Sequence, residues 1–139
     1  PSVDIKGLEN SVYTLVKAIE KGLIAACHDI STGGMAITVA EMCMGGDLGA
    51  SVDLGALKSK LGKAELLFSE SNSRWVLEVD PKRQNAFEEA FKKAGVPFFL
   101  LGKVGGKELV ITDGKNKVAT LKVDVMREGW STALSKMLG

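Results

Sequence analysis

The sequence predicts an α/β or α+β domain in which a mixed β-sheet is covered by helices. Through most of the chain, segments with helical periodicity alternate with short strand-like segments. Three strand-like segments then follow one another closely, before a last amphipathic segment. The length of 139 residues, with 45% hydrophobic and 25% charged residues, is typical of one globular domain, here predicted to span residues 1–139.

Composition and charge argue against several classes of protein. No apolar run approaches the ~18–20 residues that a membrane-spanning helix needs, and a net charge of +1 gives no general attraction to nucleic acid. Two cysteines and one histidine are too few for a disulfide framework or a structural zinc site, which favours a reducing cytoplasm. The polar start at Pro1, without an initiator Met, predicts no signal peptide and a fragment of a larger or processed chain.

The first part of the chain is predicted to form two helices with a strand between them. A helix over Leu8–Lys21 is ended by Gly22, and the apolar run Leu23–Cys27 suits a strand buried on both faces. A helix over Met35–Met44 has Glu41 as its only charged residue, so it is predicted to be buried nearly all round. The apolar stripe expected on the first helix comprises Leu8, Val12, Leu15, Val16 and Ile19.

The remaining elements follow from alternation, capping residues and turn residues. They begin with a strand at Ala50–Leu54, short helical pieces at Leu57–Leu61 and Ala64–Phe68, a strand at Arg74–Val79 and a helix from Pro81 to Lys93. Three antiparallel strands are then expected at Phe98–Val104, Glu108–Thr112 and Val118–Val123. Asp124 is expected to cap a final helix, whose apolar face comprises Met126, Trp130, Ala133, Leu134 and Met137.

The first candidate site lies where the Leu23–Cys27 strand leads into the second helix. A helix N-terminus offers free N–H groups to an anion, glycines let the backbone approach a ligand, and Asp29 suits a phosphate-bound Mg²⁺. The same pattern also fits an ordinary turn, with Ser31 or Thr32 as N-cap and His28 bonded to backbone. The candidate ligand-lining residues are His28, Asp29, Ser31, Thr32, Gly33 and Gly34, with Asp29 as the metal ligand.

A second candidate site is the polar segment Phe68–Arg74. It contains neither Gly nor Pro, although most loops use these turn formers. The side chains of Glu70, Ser71 and Asn72 suit a hydroxyl-rich substrate or a metal-bound phosphate. The alternative is a capped helix end that leads into a strand.

Two other stretches are interpreted as structural. Gly45–Gly49 is read as a helix stop and strand entry, because no lysine follows where a nucleotide-binding loop places one. Nucleophilic catalysis is disfavoured, because Cys27 and His28 are neighbours on a strand and point to opposite faces. No residue is therefore predicted to be catalytic.

Four segments together resemble a known family. They are His28–Ala36, Ala40–Met42, Gly46–Ala50 and Leu67–Arg74, and they are similar to the C-terminal domain of the aminoimidazole ribonucleotide synthetase superfamily. Within it the closest resemblance is to the phosphoribosylformylglycinamidine synthase family, and it extends to Arg127–Trp130 near the end of the chain. Each motif alone is weak, whereas the combination is specific.

The resemblance implies a fold, a reaction and partners. Enzymes of that family use ATP, Mg²⁺ and glutamine-derived ammonia to convert formylglycinamide ribonucleotide to formylglycinamidine ribonucleotide in de novo purine biosynthesis. Their large subunit consists of two similar halves, and this chain resembles the C-terminal domain of the second half. The implied partners are the remaining domains, a glutaminase subunit and a small accessory subunit, with no nucleic acid or membrane. The reactive histidine is implied to lie in another domain, so the isolated chain is expected to be inactive.

The resemblance also implies roles for individual residues. Through the pseudo-symmetry of the two halves, Asp29 matches an Asp that binds Mg²⁺ in the first half, and Glu70 with Ser71 matches a segment there that meets substrate. Asn72 departs from the family's Gln by one methylene. These residues are ligand-lining candidates, and the segments His28–Gly34 and Glu70–Ser73 are expected to lie side by side. The alternatives are another superfamily member, of the thiamine-monophosphate kinase, selenophosphate synthetase or hydrogenase maturation type, or a non-catalytic structural domain.

Overall fold

The computed structural model describes residues 5–138, apart from the side chain of Leu134. Within those residues there are five α-helices, six strands and two 3₁₀ turns, at Leu54–Leu57 and Pro81–Arg83. The predicted order of helices and strands holds, but the short helical piece expected at Leu57–Leu61 is absent, since the 3₁₀ turn ends at Leu57. The helices are α1 (Ile5–Glu20), α2 (Gly34–Gly46), α3 (Lys63–Phe68), α4 (Gln84–Ala94) and α5 (Val123–Leu138). The strands are β1 (Ala26–Asp29), β2 (Ala50–Asp53), β3 (Trp75–Glu78), β4 (Gly102–Val104), β5 (Glu108–Asp113) and β6 (Asn116–Lys122).

The strands form two sheets. β1 and β3 pair antiparallel, and the second sheet has the order β4-β2-β5-β6, with β2 and β5 parallel and its other pairs antiparallel. The predicted mixed α/β fold is therefore confirmed. The prediction that β4, β5 and β6 form consecutive antiparallel neighbours is wrong, because β2 lies between β4 and β5. Gly102 permits this insertion, since a Cβ there would lie only 1.7 Å from the Ser51 carbonyl oxygen.

The larger core lies between the four-stranded sheet and the helices α2 and α5. Helix α2 has no exposed residue before Gly45, as expected from its nearly uniform apolar sequence. Leu54, Leu109 and Val123 are each only 1% exposed in this core. The other buried members are Met35, Val39, Cys43, Ala50, Val52, Leu67 and Ile111.

A second core lies between α1, α4 and the β1–β3 sheet. Phe87 and Phe91 stack with their ring centroids 4.3 Å apart, against Ala18, Leu23 and Val96. Residue Cys27 of β1 is exposed, so the predicted burial of this strand on both faces is wrong. Helix α2 lies beside His28 and the α1/α4 core beside Leu77, but in the described residues β1 has a strand neighbour on one edge only, which leaves Cys27 exposed.

Helix α1 is rotated relative to the orientation expected from its apolar stripe. The structure buries Thr14, Leu15 and Ala18, whereas Val16 and Ile19 are 45% and 47% exposed. Contact with α4, including the hydrogen bond from Asn10 Nδ2 to Ala94 O (2.8 Å), determines which face is covered. Among residues 5–138, no helix is both long and apolar enough to cross a membrane.

Asp47 ends α2 and connects it to two distant elements. Its backbone is left-handed (φ 52°), its Oδ2 accepts from Lys107 Nζ at 2.7 Å, and its Oδ1 accepts from Arg127 Nη2 at 3.0 Å. The same Arg127 nitrogen donates to Met44 O at 2.8 Å, which satisfies a carbonyl at the helix end. Asp124, expected to cap α5, instead lies in its first turn and faces Arg127.

We expect this cluster to make stability depend on acidic pH. Hydrogen bonds from Lys107 and Arg127 lower the pKa of Asp47 in the folded chain. Because the pKa of Asp47 is lower in the folded chain than in the unfolded chain, where it is about 4, ionised Asp47 stabilises the fold above pH 4. This stabilisation is lost as the pH falls through the pKa of the folded chain. Urea midpoints measured from pH 7 to pH 3 should fall less steeply for Asp47→Asn than for wild type. Parallel profiles would contradict this assignment.

Candidate functional site

One candidate segment follows the end of β1 and the other precedes the start of β3, so in this antiparallel pair both lie at the same end of the sheet. Asp29 of β1 pairs with Trp75 of β3, and Ile30 N donates to Arg74 O at 2.9 Å. Beyond this pair, the Gly33 N–H donates to Glu70 Oε1 at 2.8 Å. The predicted juxtaposition of His28–Gly34 with Glu70–Ser73 is therefore confirmed. β-Pairing aligns the segments, and one charge-assisted hydrogen bond holds them together.

An open cavity of about 330 Å³ lies between the two segments. Two carboxylates, one guanidinium and several hydroxyl and amide groups surround it, beside one indole ring. Such a lining suits a polar ligand with several hydrogen-bonding groups. The lining residues are Asp29, Ile30, Ser31, Thr32, Glu70, Asn72, Ser73, Arg74 and Trp75.

Four candidate residues lie outside this lining: His28, Ser71, Gly33 and Gly34. The imidazole of His28 turns to α2, where its Nε2 lies 3.1 Å from Glu41 Oε2. Its Nδ1 lies 2.8 Å from the backbone oxygen of Asp29. The same Nδ1 lies 3.5 Å from Asp29 Oδ1, so the imidazole is held between Glu41 of α2 and the Asp29 carboxylate and does not line the cavity.

Gly33 and Gly34 have structural reasons to lack a side chain. Both have positive φ, 81° and 67° respectively. A Cβ on Gly34 would lie 2.6 Å from Leu67 O and 2.7 Å from Phe68 Cα, so this glycine lets α2 pack under α3. The Gly33 N–H is taken by Glu70, and the Gly34 N–H donates to Ser31 O at 3.0 Å. The expectation that these two N–H groups are open to an anion is wrong.

Arg74 lines the cavity but was not among the site residues predicted from the sequence. Its Nε donates to Ser71 O at 3.1 Å, and its Nη2 donates to Ser69 O. Partial burial lowers its pKa from the usual high value. The guanidinium thus holds the 69–73 segment in shape. In the sequence, the feature that could have indicated this role is the position of Arg74, immediately after a polar segment and before an apolar strand.

The carboxylates give the cavity a partial fit to magnesium. The residues that the structure describes contain no group of three or more His, Cys, Asp or Glu side chains placed to hold a metal ion. Mg²⁺ is commonly held by one or two carboxylates together with phosphate oxygens and water. The Asp29 side chain is 66% exposed beside the cavity, so it fits a metal that arrives with a phosphate.

A family model matches the chain across both segments of this cavity. It is that of the AIR synthase related protein, C-terminal domain, and it matches residues 3–114. The chain belongs to this domain family. The matched range contains every residue of the cavity.

Curated relatives extend the similarity to nearly the whole chain. Subunit PurL of phosphoribosylformylglycinamidine synthase from Allorhizobium ampelinum is 38% identical over 130 residues, which is 94% of this chain and 17% of the relative. PurL of Moorella thermoacetica is 33% identical over 139 residues, 99% of this chain and 18% of the relative. The AIR synthase-related domain described here thus spans less than a fifth of these relatives.

Solved structures support the same fold for this AIR synthase-related domain. Thermotoga maritima PurL complexed with FGAR superposes with a TM-score of 0.79, at 22% identity, covering 89% of this chain and 21% of that one. The same protein complexed with ATP gives a TM-score of 0.74 at 22% identity, covering 84% of this chain and 21% of that one. The mixed α/β architecture is therefore shared.

Glu70→Ala is expected to loosen the turn between β1 and α2. The substitution leaves the Gly33 N–H without its charged acceptor and removes a negative charge from the N-terminus of α2. We expect a loss of about 1–2 kcal/mol in the free energy of unfolding. The variant Glu70→Gln retains an acceptor oxygen, so it should lose less. Urea unfolding measures both, and equal losses would contradict the hydrogen-bond explanation.

Proposed function

We propose that this chain is the C-terminal domain of the second half of a PurL-type large subunit. That enzyme would convert formylglycinamide ribonucleotide to formylglycinamidine ribonucleotide in de novo purine biosynthesis, in the cytoplasm, with ATP, Mg²⁺ and glutamine-derived ammonia. The proposed partners are the remaining domains of the polypeptide, a glutaminase subunit and a small accessory subunit. A structure of PurLQS from Thermotoga maritima shares the fold of this chain, which supports the proposal of further subunits.

The similarity to PurL carries the proposal, and the geometry of the cavity supports it. The similarity to PurL runs through 94% of the chain at 38% identity, and the two segments that resemble ligand-facing motifs meet around one polar cavity. A domain that served only as a scaffold would have no need to collect Asp29, Glu70 and Asn72 around an open space.

The cavity residues have distinct proposed roles. Asp29 would hold a phosphate-bound Mg²⁺, which neutralises the repulsion between ligand phosphates and the local carboxylates. Ser31, Thr32 and Asn72 would hydrogen-bond phosphate oxygens or ribose hydroxyls. Glu70 acts mainly through the Gly33 N–H, which fixes the 29–34 turn against the 69–74 segment.

The experiment uses the whole polypeptide encoded around this sequence. With formylglycinamide ribonucleotide, ATP, Mg²⁺ and ammonium it should form formylglycinamidine ribonucleotide, ADP and phosphate, and the two nucleotides are measured by chromatography. Reactions with thiamine monophosphate or selenide serve as specificity controls. Turnover of either control substrate, but not of formylglycinamide ribonucleotide, would assign the protein to another superfamily branch.

The 139-residue chain alone is expected to show no turnover under the same conditions. The imidazole of His28, the one histidine of the sequence, is held between Glu41 and Asp29 and does not line the cavity. The chromatographic assay should therefore give the same trace with and without the isolated chain. Amidine formation by the isolated chain would contradict the proposal that the reaction needs further domains.

A further inference from the structure

Helix α5 is only partly covered by the rest of the domain. At its start Val123 is 1% exposed and Met126 packs on the larger core. From Glu128 to Leu138, every described side chain except Thr132 is exposed. Trp130 is 67% exposed and Met137 is 83% exposed. The second half of the helix therefore extends beyond the body of the domain.

The apolar face of α5 continues into this uncovered half. Met126, Trp130, Ala133 and Met137 follow the i, i+4, i+7, i+11 spacing of one helix face. The charged residues of this half, Glu128 and Lys136, lie off that face and pair with each other at 2.7 Å. We call Trp130, Ala133 and Met137 the α5 stripe. An exposed stripe of this kind, with an indole at its N-terminal end, is typical of a protein contact surface.

The similarity to PurL indicates that the surface that covers the α5 stripe belongs to a longer polypeptide. The family model ends at residue 114, before β6 and α5. The PurL relatives, by contrast, align over 139 residues and cover 99–100% of this chain, although the chain is only 17–18% of their length. Similarity in α5 thus accompanies the long PurL polypeptides rather than the general domain family.

We infer that the α5 stripe packs against another domain of the same polypeptide, on an apolar surface with a recess for the Trp130 indole. The inference rests on the proposed function only in that it requires the longer polypeptide. An intramolecular partner also supplies what the helix needs physically, because a few exposed helical turns are marginal in water without packing. The uncharged character of the stripe requires an uncharged surface opposite it.

Photo-crosslinking in the whole polypeptide tests this inference. A benzoylphenylalanine replaces Trp130 in one variant and Ser135, on the opposite face, in a matched control. Equal amounts of ¹⁴N- and ¹⁵N-labelled polypeptide are mixed before irradiation, and crosslinked peptides are identified by mass spectrometry. We expect the Trp130 position to link to a peptide outside residues 1–139 that carries the same isotope label, at several-fold higher yield than the Ser135 position.

Several outcomes would overturn the inference. Mixed-label peptide pairs would make the occupant a second copy, and links to another protein would make it a separate subunit. Links confined to residues 1–139, or equal yields at both positions, would leave the stripe without a domain partner. Hydrogen exchange in the unmodified polypeptide gives a second readout, and amides 130–137 that exchange as fast as an unfolded peptide would also overturn it.

The crosslinking result is independent of catalysis. A polypeptide that does not convert formylglycinamide ribonucleotide, yet gives same-label links from Trp130 to a distant domain, would refute the proposed function and retain the docking surface. An active polypeptide that gives mixed-label links would retain the proposed function and refute the contact of the α5 stripe with another domain of the same polypeptide.

Discussion

Gly34→Val is expected to destabilise the chain more than any other single change considered in this protein. The valine must adopt φ near +67° and place its Cβ 2.6 Å from a backbone oxygen of α3. A left-handed conformation costs roughly 1–2 kcal/mol, and overpacking a buried site costs typically 1–3 kcal/mol more. A combined loss of about 2–5 kcal/mol is a large part of the roughly 5–15 kcal/mol that stabilises ordinary domains.

Gly22→Val is the matched control for this prediction. Gly22 has nearly the same backbone conformation (φ 63°), but a Cβ there meets no atom within 4 Å. The free energy of unfolding of Gly22→Val should fall only by the cost of the left-handed backbone conformation, about 1–2 kcal/mol. Urea unfolding of both variants separates the steric contribution from the backbone contribution. Equal losses would show that the packing of α2 under α3 does not require a glycine.

The second large effect is expected from Asp29→Asn in the whole polypeptide. If Asp29 holds a phosphate-bound metal, loss of its charge should lower kcat/KM by about 100-fold. The free energy of unfolding should change little, because the Asp29 side chain is 66% exposed. Activity should recover partly as the Mg²⁺ concentration is raised. The measurement is a steady-state assay over a range of Mg²⁺ concentrations.

The neighbouring variant His28→Asn tests whether activity depends on the cavity-lining carboxylate more than on the imidazole beside it. Because the imidazole does not line the cavity but its Nδ1 lies 3.5 Å from Asp29 Oδ1, this variant should lose activity, but less than Asp29→Asn does. Its main effect should be a lower free energy of unfolding. If the two variants lose activity equally, the cavity is not the site at which this domain contacts the ligand.

Local chemistry was enough to identify most elements. Gly22 and Gly95 end helices with positive φ, and Asp80 accepts a hydrogen bond from Lys82 N at 2.8 Å, as their residue types suggest. Each of these features involves groups within a few residues of one another. Turn and cap preferences report such short-range geometry directly. The same holds for α2, whose uniformly apolar sequence predicted its burial.

Elements that depend on distant partners were predicted less well. The apolar stripe of α1 indicated one buried face, but contact with α4 selected another, and Val16 and Ile19 remained exposed. The strand β4 was expected beside β5, but β2 occupies that position. Periodicity defines a face only relative to the axis of its own element, so it cannot say which neighbour covers that face.

For the site, the sequence by itself determined which segments to examine and which side chains carry charge there. It determined the family resemblance as well, because that depends on motifs in order along the chain. Only the tertiary structure decided that Glu70 accepts the Gly33 N–H, that His28 is held between Glu41 and Asp29, and that Gly34 lies beneath α3. The physical reason is range: Gly33 and Glu70 are 37 positions apart, and their contact exists only because β1 and β3 pair.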